Sequence, residues 1–354
     1  MTALNEQISA YRRYTAFRLA FIVVCIAVAI IVAFFSLSIA NFPLTMDDVI
    51  HVFSDHLNGI SYDITTPEGI LDDIVFNTLL PRVIFAMIAG VGLAISGVTM
   101  QSVMKNPLAE PYTTGVSSGA YLGVALIMAL NFSLLSTGGV VSNAILFALI
   151  PVFIILIMSP KMNNSVATLI LIGTAISYMF NAASTLILVA SESETVAEVY
   201  RWQVGSFSGL QWHSTIIAGI FVILGSIIIF ILSKKLNIIM MGDETAKSLG
   251  VNVKRMRLAC LFIMAVIVAV VVAFCGILGF VGLICPHMIR LVLGADNRFV
   301  IPAACSFGAA FLVVSDTIVR YISLLDMIPV GAVVSLIGAP VFMIILIVNR
   351  RGVW

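Results

Sequence analysis

The sequence predicts an all-α integral membrane protein with about ten transmembrane helices, several of them short or broken. Of its 354 residues, 61% are hydrophobic and only 10% are charged, whereas a soluble domain has about 25% charged residues. Uncharged stretches recur along the chain, and most are about as long as the roughly 20 residues that cross a bilayer. We therefore treat 1–354 as one transmembrane domain.

The uncharged stretches give the number of spans. Those without Asp, Glu, Lys or Arg are 19–40, 83–104, 111–160, 162–191, 202–233, 258–289, 299–315 and 327–349. The 111–160 stretch is long enough for two spans, with the turn at Asn131 and 136–139. The 258–289 stretch is interrupted by Gly276, Gly279, Gly282 and Pro286. These residues predict a span, a tight reversal and a shorter span that ends near Gly294, which makes ten.

The distribution of charge predicts the orientation. With ten spans and the N-terminus inside, the inner face holds 15 of the 18 basic residues and five of the 17 acidic ones. The external basic residues are then Arg82, Arg201 and Arg320. Because loops rich in Lys and Arg face the cytoplasm, we predict cytoplasmic N- and C-termini in the cell (inner or cytoplasmic) membrane.

Residues 41–77 form an external acidic loop with seven carboxylates and no basic residue. Asp47, Asp48, His51 and Asp55 could share a helix face, which makes a metal site conceivable. A solvated acidic cap is the favoured interpretation. The five cysteines lie in or beside spans without a C-x-x-C pair, which is typical of packing thiols. We predict no metal site.

The longest internal connection, residues 234–257, has helical stretches broken at Gly242 and Gly250. Asp243 and Glu244 stand where a helix would begin, and negative charge is favourable there. Apolar side chains in the same segment need a partner. Protein docking is therefore favoured over a simple lipid-facing loop.

Two classes of energy source are disfavoured for this chain. It contains no Gly-Lys dipeptide and hence no Walker A motif, so we do not expect it to bind ATP through such a loop. The span interiors are almost free of the ionisable groups that proton relays need. If transport is active, the energy must come from another subunit.

Two segments break the helical pattern at membrane depth, 106–111 and the glycine run that ends at Pro286. Irregular backbone is tolerated there only where it is buried in protein or lines a cavity. Both segments are therefore candidates for a translocation pathway.

The motifs of both halves resemble one family. The first half contains Leu80-Pro81-Arg82, Lys105-Asn106-Pro107-Leu108-Ala109-Glu110-Pro111 and Gly115-Val116-Ser117-Ser118-Gly119. The second half contains Gly279-Phe280-Val281-Gly282, Pro286-His287, Ser315-Asp316 and Gly338-Ala339-Pro340-Val341-Phe342. In order and spacing across roughly 80–345, this pattern closely resembles the permease subunits of the FecCD type, which serve ABC importers for iron–siderophores, heme and cobalamin.

The resemblance implies an ABC importer permease fold of the cobalamin and siderophore type. It implies a transport subunit that is not an enzyme and has no cofactor of its own, paired with a second copy or a homologous permease. A dimer of ATPase subunits would bind ATP and Mg and dock on the 234–257 coupling element. The coupling residues that match the family pattern are Gly242, Glu244, Ser248, Leu249 and Gly250.

The resemblance also assigns an outer and an inner site. Arg82 and Arg320 match positions that dock an extracytoplasmic substrate-binding protein, although Leu79 stands where many members carry a further arginine. The inner gate matches Asn106, Pro107 and Leu108. The alternative, that Asn106-Pro107 merely caps the second span, stays open.

The predicted cargo is an iron chelate, either a siderophore complex or heme, and cobalamin or molybdate are the alternatives within the same architecture. A secondary, ion-coupled carrier is the alternative of another class, and a non-transporting membrane scaffold is a third. Membrane lipid is an expected partner and nucleic acid is not.

Overall fold

The computed structural model describes residues 2–40, 44–60, 62–135, 139–159, 166–322 and 328–348. Every regular element in these ranges is helical. The α-helices are α1 Thr2–Ser36, α2 Met46–Leu57, α3 Pro67–Asp73, α4 Leu80–Met104, α5 Val116–Leu130, α6 Val140–Met158, α7 Val166–Val189, α8 Ser193–Val204, α9 Trp212–Ile231, α10 Ser233–Met240, α11 Asp243–Ser248, α12 Val253–Cys275, α13 Val281–Leu293, α14 Asn297–Ile322 and α15 Val330–Val348. A π-helical segment, Ile74–Leu79, joins α3 to α4, and a 3₁₀ turn, Pro111–Thr114, precedes α5.

Ten apolar helical segments are found among the described residues. Seven are long enough to cross a membrane: most of α1, the continuous segment Pro67–Met104, and α6, α7, α9, α12 and α14. The three shorter ones are α5, α13 and most of α15. These segments correspond one to one with the predicted spans, so the prediction of an all-α membrane protein with about ten spans, some of them short, is confirmed.

The predicted breaks also agree with the helix ends. Helix α5 ends at Leu130, and Asn131 follows in the left-handed conformation with φ 51°. Helix α6 begins at Val140, and residues 136–138 of the predicted turn lie outside the described residues. Helix α12 ends at Cys275, α13 ends at Leu293, and Gly294 terminates it with φ 78°.

Two helices do not begin where their uncharged stretches begin. The second span extends through the π-helical segment to Pro67, so part of the predicted acidic loop is helix. The sixth span begins at Trp212, whereas its uncharged stretch begins at residue 202. Gly205, with φ 82°, ends helix α8 before it. Both differences arise because an uncharged stretch marks hydrophobicity and not helix continuity.

Helix α4 lies at the centre of the molecule, in contact with α9, α12, α13 and α14. Twenty of its 25 residues are buried. Glycines permit this close packing: a Cβ at Gly97 would lie 1.8 Å from the backbone oxygen of Gly282, and one at Gly90 would lie 2.2 Å from that of Gly308. Small residues of this kind let helix backbones approach in a membrane.

Candidate coupling and translocation sites

The predicted gate residues form a turn at the end of α4. Lys105 caps the helix in the left-handed conformation with φ 51°, and the Asn106 N–H donates to the carbonyl of Gln101 at 3.1 Å. The Asn106 Oδ1 accepts from the Leu108 N–H at 2.9 Å. Asn106 and Pro107 are half-buried, whereas Leu108 is 47% exposed. The turn thus ends the helix and also presents an apolar side chain.

The two broken segments contact each other. The Glu110 carboxylate accepts from the Phe280 N–H at 3.3 Å. The Tyr112 hydroxyl donates to the Leu278 carbonyl at 3.1 Å and lies 3.3 Å from the Leu278 N–H. Backbone groups that leave a helix at membrane depth need such partners. The turn after α4 and the reversal between α12 and α13 therefore form one polar junction inside the protein.

The predicted coupling element is a helix–glycine–helix unit in the structure. Helix α10 and helix α11 are separated at Gly242, which has φ 116°, and Gly250 follows α11 with φ 79°. Both values favour glycine. The Glu244 side chain is 91% exposed, Leu249 is 58% exposed, and Ser248 is also exposed.

Apolar side chains of this element fall into two groups. Leu236 and Ile239 of α10 are completely buried within the chain, where α10 packs against α4 and α14. Met241 and Leu249, in contrast, are 67% and 58% exposed. The first group fixes the element to the helical core, and the second is left at its surface.

Asp243, the first residue of α11, connects three parts of the chain. Its carboxylate accepts from Lys105 Nζ at 2.9 Å and from Arg257 Nη2 of α12 at 3.2 Å. Partial burial raises the pKa of Asp243, but the hydrogen bond from Lys105 and the charge of Arg257 together hold it below its ordinary value. We call Lys105, Asp243 and Arg257 the inner cluster.

A second connection from α10 reaches α14 through amides. Asn237 of α10 donates from Nδ2 to the Asp296 carboxylate at 2.7 Å, and its Oδ1 accepts from the Asn297 N–H at 2.8 Å. The Asn297 Oδ1 accepts in turn from Arg290 Nη2 at 2.9 Å.

Arg290 of α13 is 2% exposed and also forms hydrogen bonds with α4. Its Nη2 donates to Ser102 Oγ at 3.0 Å and its Nε to Gln101 Oε1 at 3.4 Å. The sequence had shown only a charge near a span end. The sequence could not connect Asn237 with Arg290 and Asn297, because Asn237 lies 60 residues before Asn297 in the chain.

The outer arginines share one buried carboxylate. Arg82 of α4 donates to Asp316 of α14 from Nε at 3.1 Å and from Nη2 at 2.9 Å. Arg320 donates to the same carboxylate from Nε at 3.0 Å. Their exposed fractions are 7%, 0% and 3%, in chain order. Asp316 and Arg320 are four residues apart on one face of α14, and Arg82 reaches them from α4. We call Arg82, Asp316 and Arg320 the outer cluster.

Arg320 also fastens α1. Its Nη1 donates to the carbonyl of Ser36 at 2.9 Å and also to that of Ile39, and its Nη2 donates to Ser36 Oγ. Docking of a binding protein at Arg82 and Arg320 stays a prediction. A partner would have to compete with these contacts within the chain.

One surface that the sequence had not indicated is a polar stripe on α7. Thr174, Tyr178, Asn181 and Thr185 are all exposed, and they follow each other at intervals of three or four residues. These intervals place them on one helix face. The spacing was visible in the sequence, but only the structure shows that this face is not covered by the rest of the chain.

Several side chains of the acidic loop form hydrogen bonds within the loop. Asp48 forms a capping box with Thr45 at the start of α2, and Asp55 accepts from the Tyr62 hydroxyl at 3.0 Å. His56 bonds to Asp72 at 2.6 Å and stacks on Phe76. Within the described ranges, no three His, Cys, Asp or Glu side chains are grouped as metal ligands.

Comparison with known proteins gives one family. The FecCD transport family model matches residues 27–348. The chain is 35% identical to the hemin transport system permease protein HmuU of Yersinia pestis, with 81% of this chain and 87% of the relative covered. It is 36% identical to the cobalamin import system permease protein BtuC of Halobacterium salinarum, with 77% and 73% covered.

A solved structure gives the same result. It is described as a metal-chelate type ABC transporter in an inward-facing conformation. The TM-score is 0.80 at 30% identity, and the alignment covers 92% of this chain and 98% of that one. The extent of these matches confirms the resemblance that the motifs suggested. The chain belongs to the FecCD transport family.

Proposed function

We propose that this protein is the transmembrane permease subunit of an ABC importer that moves an iron chelate, supplied by a binding protein and driven by a separate ATPase. One structural observation carries the proposal. The predicted coupling element has exposed Glu244 and Leu249 and is joined at Asp243 to the end of α4, where the predicted gate begins. The contact of Asp243 with Lys105 thus supports a direct connection between the proposed ATPase surface and the proposed gate.

The proposed mechanism follows these contacts. When the ATPase subunits close, they displace α11. Asp243 transmits the displacement to Lys105 beside Asn106, and to Arg257 on α12. Packed elements with two discrete arrangements can turn such a small shift into helix rocking. The Asn237 contacts move α14 together with α10.

The proposed pathway needs a second permease, either another copy or a homologue. Exposed polar groups in the middle of a span are costly in lipid. The stripe of Thr174, Tyr178, Asn181 and Thr185 on α7 is therefore proposed to face water at the permease–permease interface. The junction of Glu110 and Tyr112 with the 276–280 reversal supports the inner end of this route.

The proposed orientation places the coupling element in the cytoplasm, with the protein in the cell membrane and both termini inside. Its support is the excess of Lys and Arg on that face. The extracytoplasmic binding protein would then dock on the face that carries α2 and α8, near Arg82 and Arg320. The ATPase partners would bind ATP and Mg.

The chelate class is proposed from the relatives, one of which is named for hemin and another for cobalamin. Heme or a ferric siderophore is the leading cargo, with cobalamin or molybdate as alternatives. The polar stripe carries no net charge, so the proposal assigns the choice among these cargoes to the binding protein.

The test is uptake into proteoliposomes that contain the full chain, its ATPase and its binding protein. ATP-dependent accumulation of heme or a ferric siderophore is expected, and Gly250→Pro should abolish it because proline cannot adopt the positive φ at this position. Gly139→Ala, at a position with φ −83° where an added Cβ has nothing within 4 Å, is the control. Uptake driven by a proton gradient without the ATPase would establish a secondary carrier instead.

A further inference from the structure

A groove lies between α9 and α12, next to the coupling element. Its wider part, about 590 Å³, is lined among others by Leu232, Lys235, Ile238, Arg255 and Ala259. Leu249 and Gly250 form part of its rim. One helical turn deeper, a cavity of about 190 Å³ lies between Ile228 and Phe262 on the same two helices. Leu232 follows Ile228 by four residues, and Phe262 follows Ala259 by three, so the two cavities lie in line along α9 and α12. We call the two together the cleft.

The cleft has a cationic mouth and an apolar interior. Lys235 and Arg255 are exposed, and no carboxylate lines either cavity. Neither side chain has a hydrogen bond or ion pair with another described residue. Lys105 and Arg257, in contrast, face Asp243. The deeper walls consist of Phe221, Leu224, Gly225, Ile228 and residues of α12.

The dimensions fit one leaflet of a bilayer. From Phe221 to Leu232 the chain rises about 17 Å as a helix, which is close to half of a hydrocarbon core about 30 Å thick. The mouth therefore lies at headgroup level when the apolar part lies in the acyl region. Basic pockets at this level of a membrane protein bind anionic headgroups.

We propose that this cleft binds one anionic phospholipid, with its phosphate between Lys235 and Arg255 and an acyl chain between α9 and α12. The lipid would contact the rim of the coupling element at Leu249. Charge complementarity selects an anionic over a zwitterionic lipid. Exposed apolar residues continue on α9, including Ile227, Phe230 and Ile231, which favours lipid over a protein partner on this side.

The experiment uses the full chain with Phe262→Trp as a fluorescent reporter. The signal of the three native Trp residues, measured on the parent chain, is subtracted. The protein is reconstituted in phosphatidylcholine vesicles that contain acyl-brominated phosphatidylglycerol or, for comparison, acyl-brominated phosphatidylcholine. Because each of the two cations contributes about 1 kcal/mol toward anionic lipid and about 1.4 kcal/mol corresponds to tenfold, the reporter should prefer phosphatidylglycerol by about thirtyfold.

The matched variants separate a site from general surface charge. Lys235→Gln with Arg255→Gln should reduce the preference to about one. Lys234→Gln with Lys254→Gln removes the same charge from exposed neighbours that line neither cavity and should leave the preference largely intact. Ala259→Phe, which fills the groove and keeps both cations, should lower the quenching by the anionic lipid.

Three results would overturn the proposal. One is a preference below twofold in the reporter protein. Another is an equal loss of preference in both double variants, since the attraction would then be diffuse. The last is complete protection of the reporter when the ATPase subunit is added, because the groove would then be a protein interface. None of these depends on whether the protein transports a chelate.

Discussion

The outer and inner clusters have the same charge pattern but different surroundings. Each places one carboxylate between two basic side chains that come from different parts of the helical core. In the outer cluster, the Asp316 side chain is 1% exposed between Arg82 and Arg320. In the inner cluster, the Asp243 side chain is 35% exposed between Lys105 and Arg257. The first cluster is enclosed by helices, and the second lies at the edge of a short surface helix.

This difference in burial indicates which cluster holds helices together and which one can change during transport. Removing one member of a buried ion pair leaves an uncompensated charge in a medium that solvates it poorly, which costs several kcal/mol. The outer cluster must therefore stay intact, and it holds α1, α4 and α14 together. In the inner cluster, the Asp243 and Lys105 side chains are about one-third exposed, so water screens their pair, whereas the Arg257 side chain is buried, with 3% exposed. In the proposed mechanism, the bond between Asp243 and Lys105 is the one that opens and closes.

The largest effect is expected for Asp316→Asn. This change leaves two arginines without their carboxylate in a buried site, so the free energy of unfolding should fall by about 3–5 kcal/mol. Thermal unfolding in detergent micelles measures this, with Asp243→Asn as the matched change in the inner cluster. Equal shifts for the two variants would remove the distinction between the clusters.

Asp243→Asn is expected to change coupling more than stability. Its melting temperature should fall less than that of Asp316→Asn, because water screens the part-exposed pair of Asp243 and Lys105. The ratio of substrate imported to ATP hydrolysed should fall at least about fivefold, the lower end of typical coupling energies. Asp47→Asn, an exposed external carboxylate, is the control, and Asp243→Glu should restore part of the ratio. Unchanged stoichiometry would contradict the proposed transmission.

A smaller effect is expected on acidification. The pKa of Asp243 lies below its ordinary value, so its contribution is present above the unfolded pKa of about 3.9 and is lost as pH falls through the lower, folded value. The difference in melting temperature between parent and Asp243→Asn should therefore stay constant from about pH 7 to 5 and shrink below about pH 4. A difference that disappears by pH 6 would refute this.

The smallest effect is expected for Lys247→Gln. Lys247 bonds to Glu244 at 2.8 Å, but both side chains are largely exposed, at 58% and 91%. Thermal unfolding should not change measurably, because solvent screens this pair. A clear drop in melting temperature would mean that exposure does not decide the strength of the pairs in this protein.

Local patterns of the sequence were enough for the framework. Hydrophobic length predicted ten spans, glycine spacing predicted the reversal at 276–280, and the Gly242 and Gly250 pair predicted the helix–glycine–helix element. These features depend on residues close together in the chain: a span needs only a run of apolar residues, and glycine favours positive φ wherever it stands. The motifs then predicted the family.

Only the tertiary structure decided which side chains meet. Arg82 and Asp316 are 234 residues apart, and Lys105 and Asp243 are 138 apart. Hydropathy gives each helix a length but not the face it turns to its neighbours, so neither cluster could be predicted as a whole. The burial of the outer arginines has the same cause. The sequence by itself determined that charges stand at the two ends of the spans, and the packing of α4 against α12 and α14 decided which of these charges are buried and which are exposed.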